Sequence, residues 1–394
     1  MALIPVSQAQ QRLLALAPER ATQMAPIGEC AGRWLAAPVH ALRDQPWADL
    51  SAMDGYAVRA AEWPGPWHCV GESRAGAATP DALAPGQCSR IFTGAPMPPG
   101  ADAVLIQENA VRDGDRITAS ADSLSAGRHV RPRGQDFGRD ALLLESGSRL
   151  GPAQVALAVL AGHGALPVRP RVRVALLSTG DELTPPGAPV PPGALPASNA
   201  AMLAAMLAPF PCDIVDTGLV PDDMTATVAA LQRAADADVI VSTGGASVGD
   251  HDLVRPAFEA VGGALDFWKI RMRPGKPLIA GTWGEAVFLG LPGNPVSAFV
   301  TAHLFLLPLV RHLSGDPTPL PRPIFLPTTI ALKAGGEREE YLRAVRSDDG
   351  VTPIALQDSA SLAALASADC LIIRPPDAPA TPQGALAPVL PIQS

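Results

Sequence analysis

Between residues 238 and 298 the chain twice runs from a short apolar stretch straight into a glycine-rich turn, and this repetition restricts the fold more than any other feature. In DVIVSTGGASVGDHD, Val239, Ile240 and Val241 read as a buried strand, and Ser242, Thr243, Gly244 and Gly245 as the turn at its carboxyl end. In VFLGLPGNPVSAF the order is again strand, Gly/Pro loop, helix. Glycine lets backbone N–H groups come close to a ligand, and a helix start just beyond adds the positive end of a dipole. Between the two segments lies FWKIRMRPGKP, rich in lysine and arginine. Any one of these loops is equally well read as a tight turn. Together, the three predict a phosphate-bearing ligand held over the carboxyl edge of a parallel sheet.

Length and charge narrow the class. A chain of 394 residues is too long for one core and predicts several domains. Apolar content of 47% against 17% charged residues describes a globular protein without an acidic tail or basic arm. A net charge of −8 argues against a nucleic-acid partner, so any cationic site must be local. The five cysteines are odd in number, far apart and without a C-x-x-C, which fits reduced thiols in the cytoplasm. No histidine pairs with another His or Cys at zinc-ligand spacing. The start, MALIPVSQAQQRLL, lacks the features of a signal peptide, and the longest apolar run, 300–310, is shorter than a membrane span.

Taken in order, the chain predicts an amphipathic helix over 7–16, an extended stretch over 35–42 and then a Pro/Asp/Gly loop containing Asp54. Short strands follow, with Asp113-Gly114-Asp115 as a hairpin turn. Arg128, Arg131, Arg133 and Asp136 crowd one loop near the end of this β segment. Residues 141–165 read as helix again, so 46–140 is expected as a β domain inserted into a helical, elongated domain made of 1–45 and 141–170. From 171 to 317 strands and helices alternate as in a doubly wound α/β sheet, with a helix over 198–207 capped by Ser198 or Asn199. Residues 318–394 return to short strands, predicting a barrel-like or sandwich β domain with a poorly ordered tail from Pro375.

The loops at the carboxyl edge of the α/β segment carry Asp181, Glu182, Asp222, Asp223, Asp250 and Asp252, with Lys269, Arg271, Arg273 and Lys276 close by in the chain. Oxygen ligands of this kind suit Mg²⁺ bridged to phosphate oxygens, and the cations suit an anion and the charge of phosphoryl-type transfer. There is no G-x-x-x-x-G-K-[ST], no G-x-G-x-x-G with a later acid and no G-x-S-x-G, which disfavours ordinary NTPases, dinucleotide enzymes and serine hydrolases.

SAMDGYA, IFTGAPMPPGAD, STGDEL, STGGASVG, FWK followed by RPGKP, and LPGNPVSA occur in an order that resembles the MoeA/gephyrin E-domain family over nearly the whole chain. The resemblance implies a molybdopterin molybdenumtransferase, which inserts molybdate into adenylylated molybdopterin and releases AMP in a Mg²⁺- or Zn²⁺-dependent step. It also implies a four-domain elongated homodimer, with the α/β domain of one subunit facing the β domain of the other. The partners it implies are the molybdopterin-adenylylating protein and acceptor molybdoenzymes. By position, the catalytic set is Asp54, Glu182, Asp222 or Asp223, Asp252, Lys269, Arg273 and Lys276, with Asp54, Glu182 and Asp252 as metal ligands. The binding set is Thr93, Arg131, Asp136, Thr179, Gly180, Gly244, Gly245, Ser247, Gly249, Pro292, Gly293, Asn294, Pro295 and Ser297, with Arg343 and Ser361 as looser matches. Gln135 stands where the family often has an acid, and Arg273 where it often has a lysine, exchanging a point donor for a fork. The alternatives are a carrier or scaffold that keeps the pterin pocket without turnover, and a transferase that takes tungstate.

Overall fold

The computed structural model describes residues 3–18, 20–120, 123–245 and 253–392. By contact the chain groups into two units: 1–23, 32–36 and 167–394 make one, and 24–31 with 37–166 the other.

The larger unit is built on a six-stranded sheet in the order Cys212–Val220, Val172–Thr179, Val239–Thr243, Ala286–Leu291, Pro277–Trp283, Ala264–Lys269. The first four strands are parallel, and the last two are antiparallel additions. Val239–Thr243 and Ala286–Leu291 are buried at every position, as central strands covered on both faces must be. On one face lie the helices Val6–Leu16, Asn199–Leu207 and Pro295–Leu313; on the other lie Met224–Arg233 and Val254–Ala260. The expected first helix is present and buries Val6, Ala9 and Leu13. Pro295–Leu313 contains a π-helical turn, Ala302–Leu306. By length and composition this helix is apolar enough to cross a membrane, but 72% of its apolar window is buried inside the protein, so it is a core helix.

A second sheet in this unit runs Met272–Arg273, Glu339–Ser347, Cys370–Arg374, Leu386–Pro391, Ile324–Pro327, with Gly350–Pro353 paired to Glu339–Ser347. A bridge between Thr328 and Val351, with the Thr329 N–H donating to Val351 O at 3.0 Å, links the last strand back to Gly350–Pro353 and gives the barrel-like closure. The tail differs from expectation. Leu386–Pro391 is a strand inside this sheet, because Ala387, Val389 and Leu390 supply buried apolar surface despite the prolines around them.

In the smaller unit a six-stranded sheet runs Ala103–Ile106, Gly55–Val58, Gln87–Ile91, Trp67–Ser73, Arg116–Ala119, Ala110–Asp113. The Asp113-Gly114-Asp115 hairpin forms as read, pairing Ala110–Asp113 with Arg116–Ala119. The helix expected over 141–165 is shorter. Leu142–Leu144 is a strand paired with Val39–His40, Gly147 turns the chain with φ near +80°, and only Pro152–Leu160 is helical. Three leucines there satisfied an apolar pattern that sheet pairing used instead.

Phe258 and Phe288 stack at 4.2 Å between ring centroids, and both side chains are fully buried. Phe288→Ala is expected to cost about 3–5 kcal/mol. Urea titration followed by tryptophan fluorescence checks this, and a midpoint equal to wild type would show that the stack contributes nothing.

Candidate active site

In the larger unit the expected loops do meet at the carboxyl edge of the parallel strands. Gly244, with φ near +93°, lies so close to the preceding strand that a Cβ on it would sit 2.5 Å from Thr179 O. A Cβ on Gly293 would in turn sit 3.3 Å from Gly244 Cα. The STGG and LPGNP turns are therefore in direct contact, and their glycines are what lets them be. The Asn294 side chain accepts from the Ser297 N–H at 3.1 Å and caps Pro295–Leu313, with Pro295 at the first helical position. Two expected donors are taken: the Gly244 N–H donates to Leu291 O at 3.3 Å, and that of Ser297 to the cap. The amides of Gly245, Gly293, Asn294 and Val296 have no acceptor among the described residues.

The acids lie on the two neighbouring strand ends. A Cβ on Gly180 would meet Glu182 Oε2 at 2.4 Å, so the Glu182 carboxylate folds back over the turn after Val172–Thr179. Thr179 is buried and donates its hydroxyl to Thr243 O at 3.4 Å. Asp181 and Asp222 lock the two loops reciprocally: the Asp222 N–H donates to Asp181 Oδ1 at 3.0 Å, and the Asp181 N–H to Asp222 Oδ2 at 3.4 Å. Asp223 Oδ1 instead accepts from the Ala226 N–H at 2.8 Å, capping Met224–Arg233. Helix capping thus separates two adjacent acids that the sequence left equivalent. Ser247, Gly249, Asp250 and Asp252 lie outside the described residues.

The cations are placed by the hairpin between Ala264–Lys269 and Pro277–Trp283. Lys269 pairs across it with Pro277, and the Ile270 N–H donates to Lys276 O at 3.3 Å. Lys269 Nζ stands 4.4 Å from the Trp268 ring centroid. Arg273 pairs with Glu340 at 3.4 Å while remaining 65% exposed. Arg343 behaves otherwise. It is 2% exposed and donates to the carbonyls of Ser361, Leu356 and Asp358 at 2.9, 3.1 and 2.9 Å. Ser361 caps the short helix Leu362–Ala366, accepting from the Ala364 N–H at 3.3 Å. In the structure these two residues organise the 354–361 loop.

In the smaller unit Asp54 Oδ1 accepts from both the N–H and the hydroxyl of Thr93, at 2.8 and 2.9 Å. These bonds, the backbone one first, hold the Asp54 carboxyl below its ordinary value, with a further contribution from Arg90. Arg90 stacks over the rings of Tyr56 and Phe92, 5.1 and 5.0 Å from their centroids. The Val130–Arg131 strand pairs with Leu50–Ser51, and the Gly94 N–H donates to Ser51 O at 2.8 Å. Backbone pairing therefore brings the Asp54, Thr93 and Arg131 segments together. The Asp136 N–H donates to Gln45 O at 2.9 Å, and Asp44 receives Arg133 and the Arg139 N–H, fixing the rest of the arginine-rich loop.

Two contributors escaped the sequence reading. Arg90 sits two residues before Phe92, the strand spacing that puts both side chains on one face, which is the signal that would have found it. Asn199, a helix-cap candidate in the sequence, donates its Nδ2 to Gly293 O at 2.8 Å instead. No group of three His, Cys, Asp or Glu side chains is assembled to hold a metal among the described residues. Glu182 and Asp222 do offer the hard oxygen donors of a Mg²⁺ that keeps water and substrate oxygens in its shell.

Glycine-built turns at the carboxyl edge of a parallel sheet, with acids on the adjacent loops, define an α/β protein with a candidate anion-binding edge. Residues 4–162 match the MoeA N-terminal region (domain I and II), 175–312 a probable molybdopterin binding domain, and 326–392 the MoeA C-terminal region (domain IV). A molybdopterin molybdenumtransferase of Haemophilus influenzae is 31% identical over 94% of this chain and 94% of its own. One from Nostoc is 36% identical over 82% of this chain and 76% of its own. The crystal structure of a molybdopterin biosynthesis MoeA protein from Pyrococcus horikoshii superimposes with a TM-score of 0.86 at 27% identity, covering all of both chains. The chain belongs to the MoeA family of molybdopterin molybdenumtransferases.

Thr93→Val removes one of the two bonds that depress Asp54 and leaves the backbone N–H. The native carboxyl titrates low, so its contribution to stability is present above the ordinary carboxylate range and lost as pH falls through the lowered value. The variant is expected to titrate Asp54 at higher pH, nearer the ordinary value, by carboxyl ¹³C NMR; a midpoint that stays put or falls would refute the assignment.

Proposed function

We propose that this protein inserts molybdate into adenylylated molybdopterin and releases AMP, a step of molybdenum cofactor biosynthesis. The observation that carries the reading is the contact between the STGG and LPGNP turns, which assembles acceptor-free amides beside a helix N-terminus at the sheet's carboxyl edge. The amides of Gly245, Gly293, Asn294 and Val296 bind the pterin-side phosphate of the phosphoanhydride. Glu182 and Asp222 would hold Mg²⁺, which would supply charge neutralisation at the phosphoanhydride. Lys269, Arg273 and Lys276 orient the incoming oxyanion and offset charge that develops as the phosphoanhydride is cleaved and AMP departs. In the smaller unit Asp54, held low by Thr93, is an anionic ligand group on a segment that backbone pairing brings near that of Arg131. The protein thus works by positioning and charge compensation. The names of the relatives favour turnover over a carrier role.

AMP release from adenylylated molybdopterin should require both Mg²⁺ and molybdate, and Glu182→Ala or Asp54→Ala should reduce it by about 10²-fold or more with melting temperature maintained. Near wild-type release from either variant would remove that residue from the site, and tight binding without release from the wild type would restore the carrier reading.

The finer assignments are a homodimer acting in the cytoplasm, fed by a molybdopterin-adenylylating protein and serving acceptor molybdoenzymes. The homodimer finds support in an apolar face on the smaller unit. Leu42, Leu142, Val159 and Leu160 are 52, 52, 52 and 42% exposed. Leu42 donates its N–H to Ala161 O at 2.9 Å beside the end of Pro152–Leu160, and Leu142 pairs with His40. Such patches mark association surfaces. Val159→Asp with Leu160→Asp should yield a monomer in sedimentation equilibrium, and an unchanged dimer mass would place the interface elsewhere.

A further inference from the structure

Residues of the barrel-like sheet of the larger unit and of the neighbouring loops line an open cavity of about 540 Å³. Its walls include the apolar Leu332 and Leu342 and four charged side chains, Arg273, Lys333, Glu340 and Arg374. Their charges do not cancel. Arg273 is matched by Glu340 at 3.4 Å. Arg374 has no carboxylate within salt-bridge distance among the described residues, although it is only 5% exposed. Its guanidinium donates instead to Thr381 Oγ1, to Lys333 O at 2.9 Å and to Pro379 O at 2.6 Å, while its Nε is buried without an acceptor. Lys333 is exposed at the cavity wall, and its backbone is held in place by that same arginine. A buried arginine without a counter-charge is costly, and an anion entering the cavity relieves the cost.

We propose that this cavity, which shares Arg273 with the proposed oxyanion cluster, is a second anion subsite beyond the glycine-loop edge, and that it takes a phosphate monoester on an apolar or heteroaromatic body. Lys333, exposed at the wall, and Arg374, without a carboxylate partner among the described residues, supply positive charge toward such a group. The volume far exceeds that of a bare tetrahedral oxyanion and falls in the range of sites for nucleotide-sized ligands. Lys333 supplies the direct contact, and Arg374 is a positioning residue that fixes Lys333 and adds positive potential. Within the reaction proposed above, on which this inference rests, the phosphate monoester is the released AMP or the phosphate of molybdopterin itself.

Calorimetric titration of the full-length protein with AMP and, separately, with molybdopterin tests this. Lys333→Glu, a surface change, is expected to weaken one of the two ligands by about tenfold or more, with melting temperature maintained and Lys333→Arg restoring affinity. Loss for AMP alone identifies a product subsite, and loss for molybdopterin alone identifies a pterin-phosphate subsite. Affinities within twofold of wild type for both ligands, or no binding of either to the wild type, would overturn the proposal. Molybdate-dependent AMP release by the wild-type protein reports separately on the proposed function, so the two can fail independently.

Discussion

The close approach of three backbone turns at one edge of a parallel sheet is the constraint on which the larger unit depends. Thr179 O, Gly244 Cα and Gly293 Cα lie so close that no side chain fits between them. That spacing follows from the register of Val172–Thr179 against Val239–Thr243 and of Val239–Thr243 against Ala286–Leu291, which ends the three strands at one level. Level strand ends put the turns side by side, and side-by-side turns concentrate backbone N–H dipoles where a helix also begins. The apolar core beneath supplies the rigidity, since these strands are buried on both faces. Binding chemistry here is a consequence of sheet register.

The acids illustrate how such an edge selects among similar residues. Asp181, Asp222 and Asp223 are chemically alike, yet Asp223 satisfies the first turn of a helix, and Asp181 and Asp222 tie two loops through each other's amides. Glu182 is left with its carboxylate folded over Gly180. A residue already meeting a backbone demand is held still, which pre-organises its neighbours for charge stabilisation. Asp54 follows the same logic in the smaller unit. Two bonds from Thr93 to one oxygen fix the carboxylate and keep it ionised, leaving its second oxygen for another partner.

Most of the α/β architecture was legible because its strands are short β-branched runs bounded by glycine and proline, and its helices carry clear periodicity. The Gly/Pro turns of the site were legible for the same reason. Legibility failed where one pattern serves two structures. Leu142–Leu144 and Pro152–Leu160 are both apolar and are separated only by the short ESGSRLG link, and pairing with Val39–His40 makes the first of them a strand. The strand Leu386–Pro391 was hidden by its prolines, since its place between two other strands is a tertiary fact. Arg343 could be matched to a motif, but nothing local shows that its guanidinium is buried against three carbonyls.

The two buried arginines of the C-terminal sheet show why motif and environment must be weighed together. Arg343 and Arg374 are both nearly inaccessible, and both donate to backbone carbonyls of neighbouring loops. Burial pushes the Arg343 guanidinium down, and the nearby Asp358 offsets part of that. Arg374 has no such acid among the described residues and lines an open cavity. The same residue type in the same sheet therefore meets two different environments, one beside an acid and one on a cavity wall. An unpaired charge retained in a low-dielectric wall is compatible with stability only when its carbonyl bonds are good and a mobile counter-charge can reach it. That asymmetry separates the arginine that builds a loop from the one that lines the cavity.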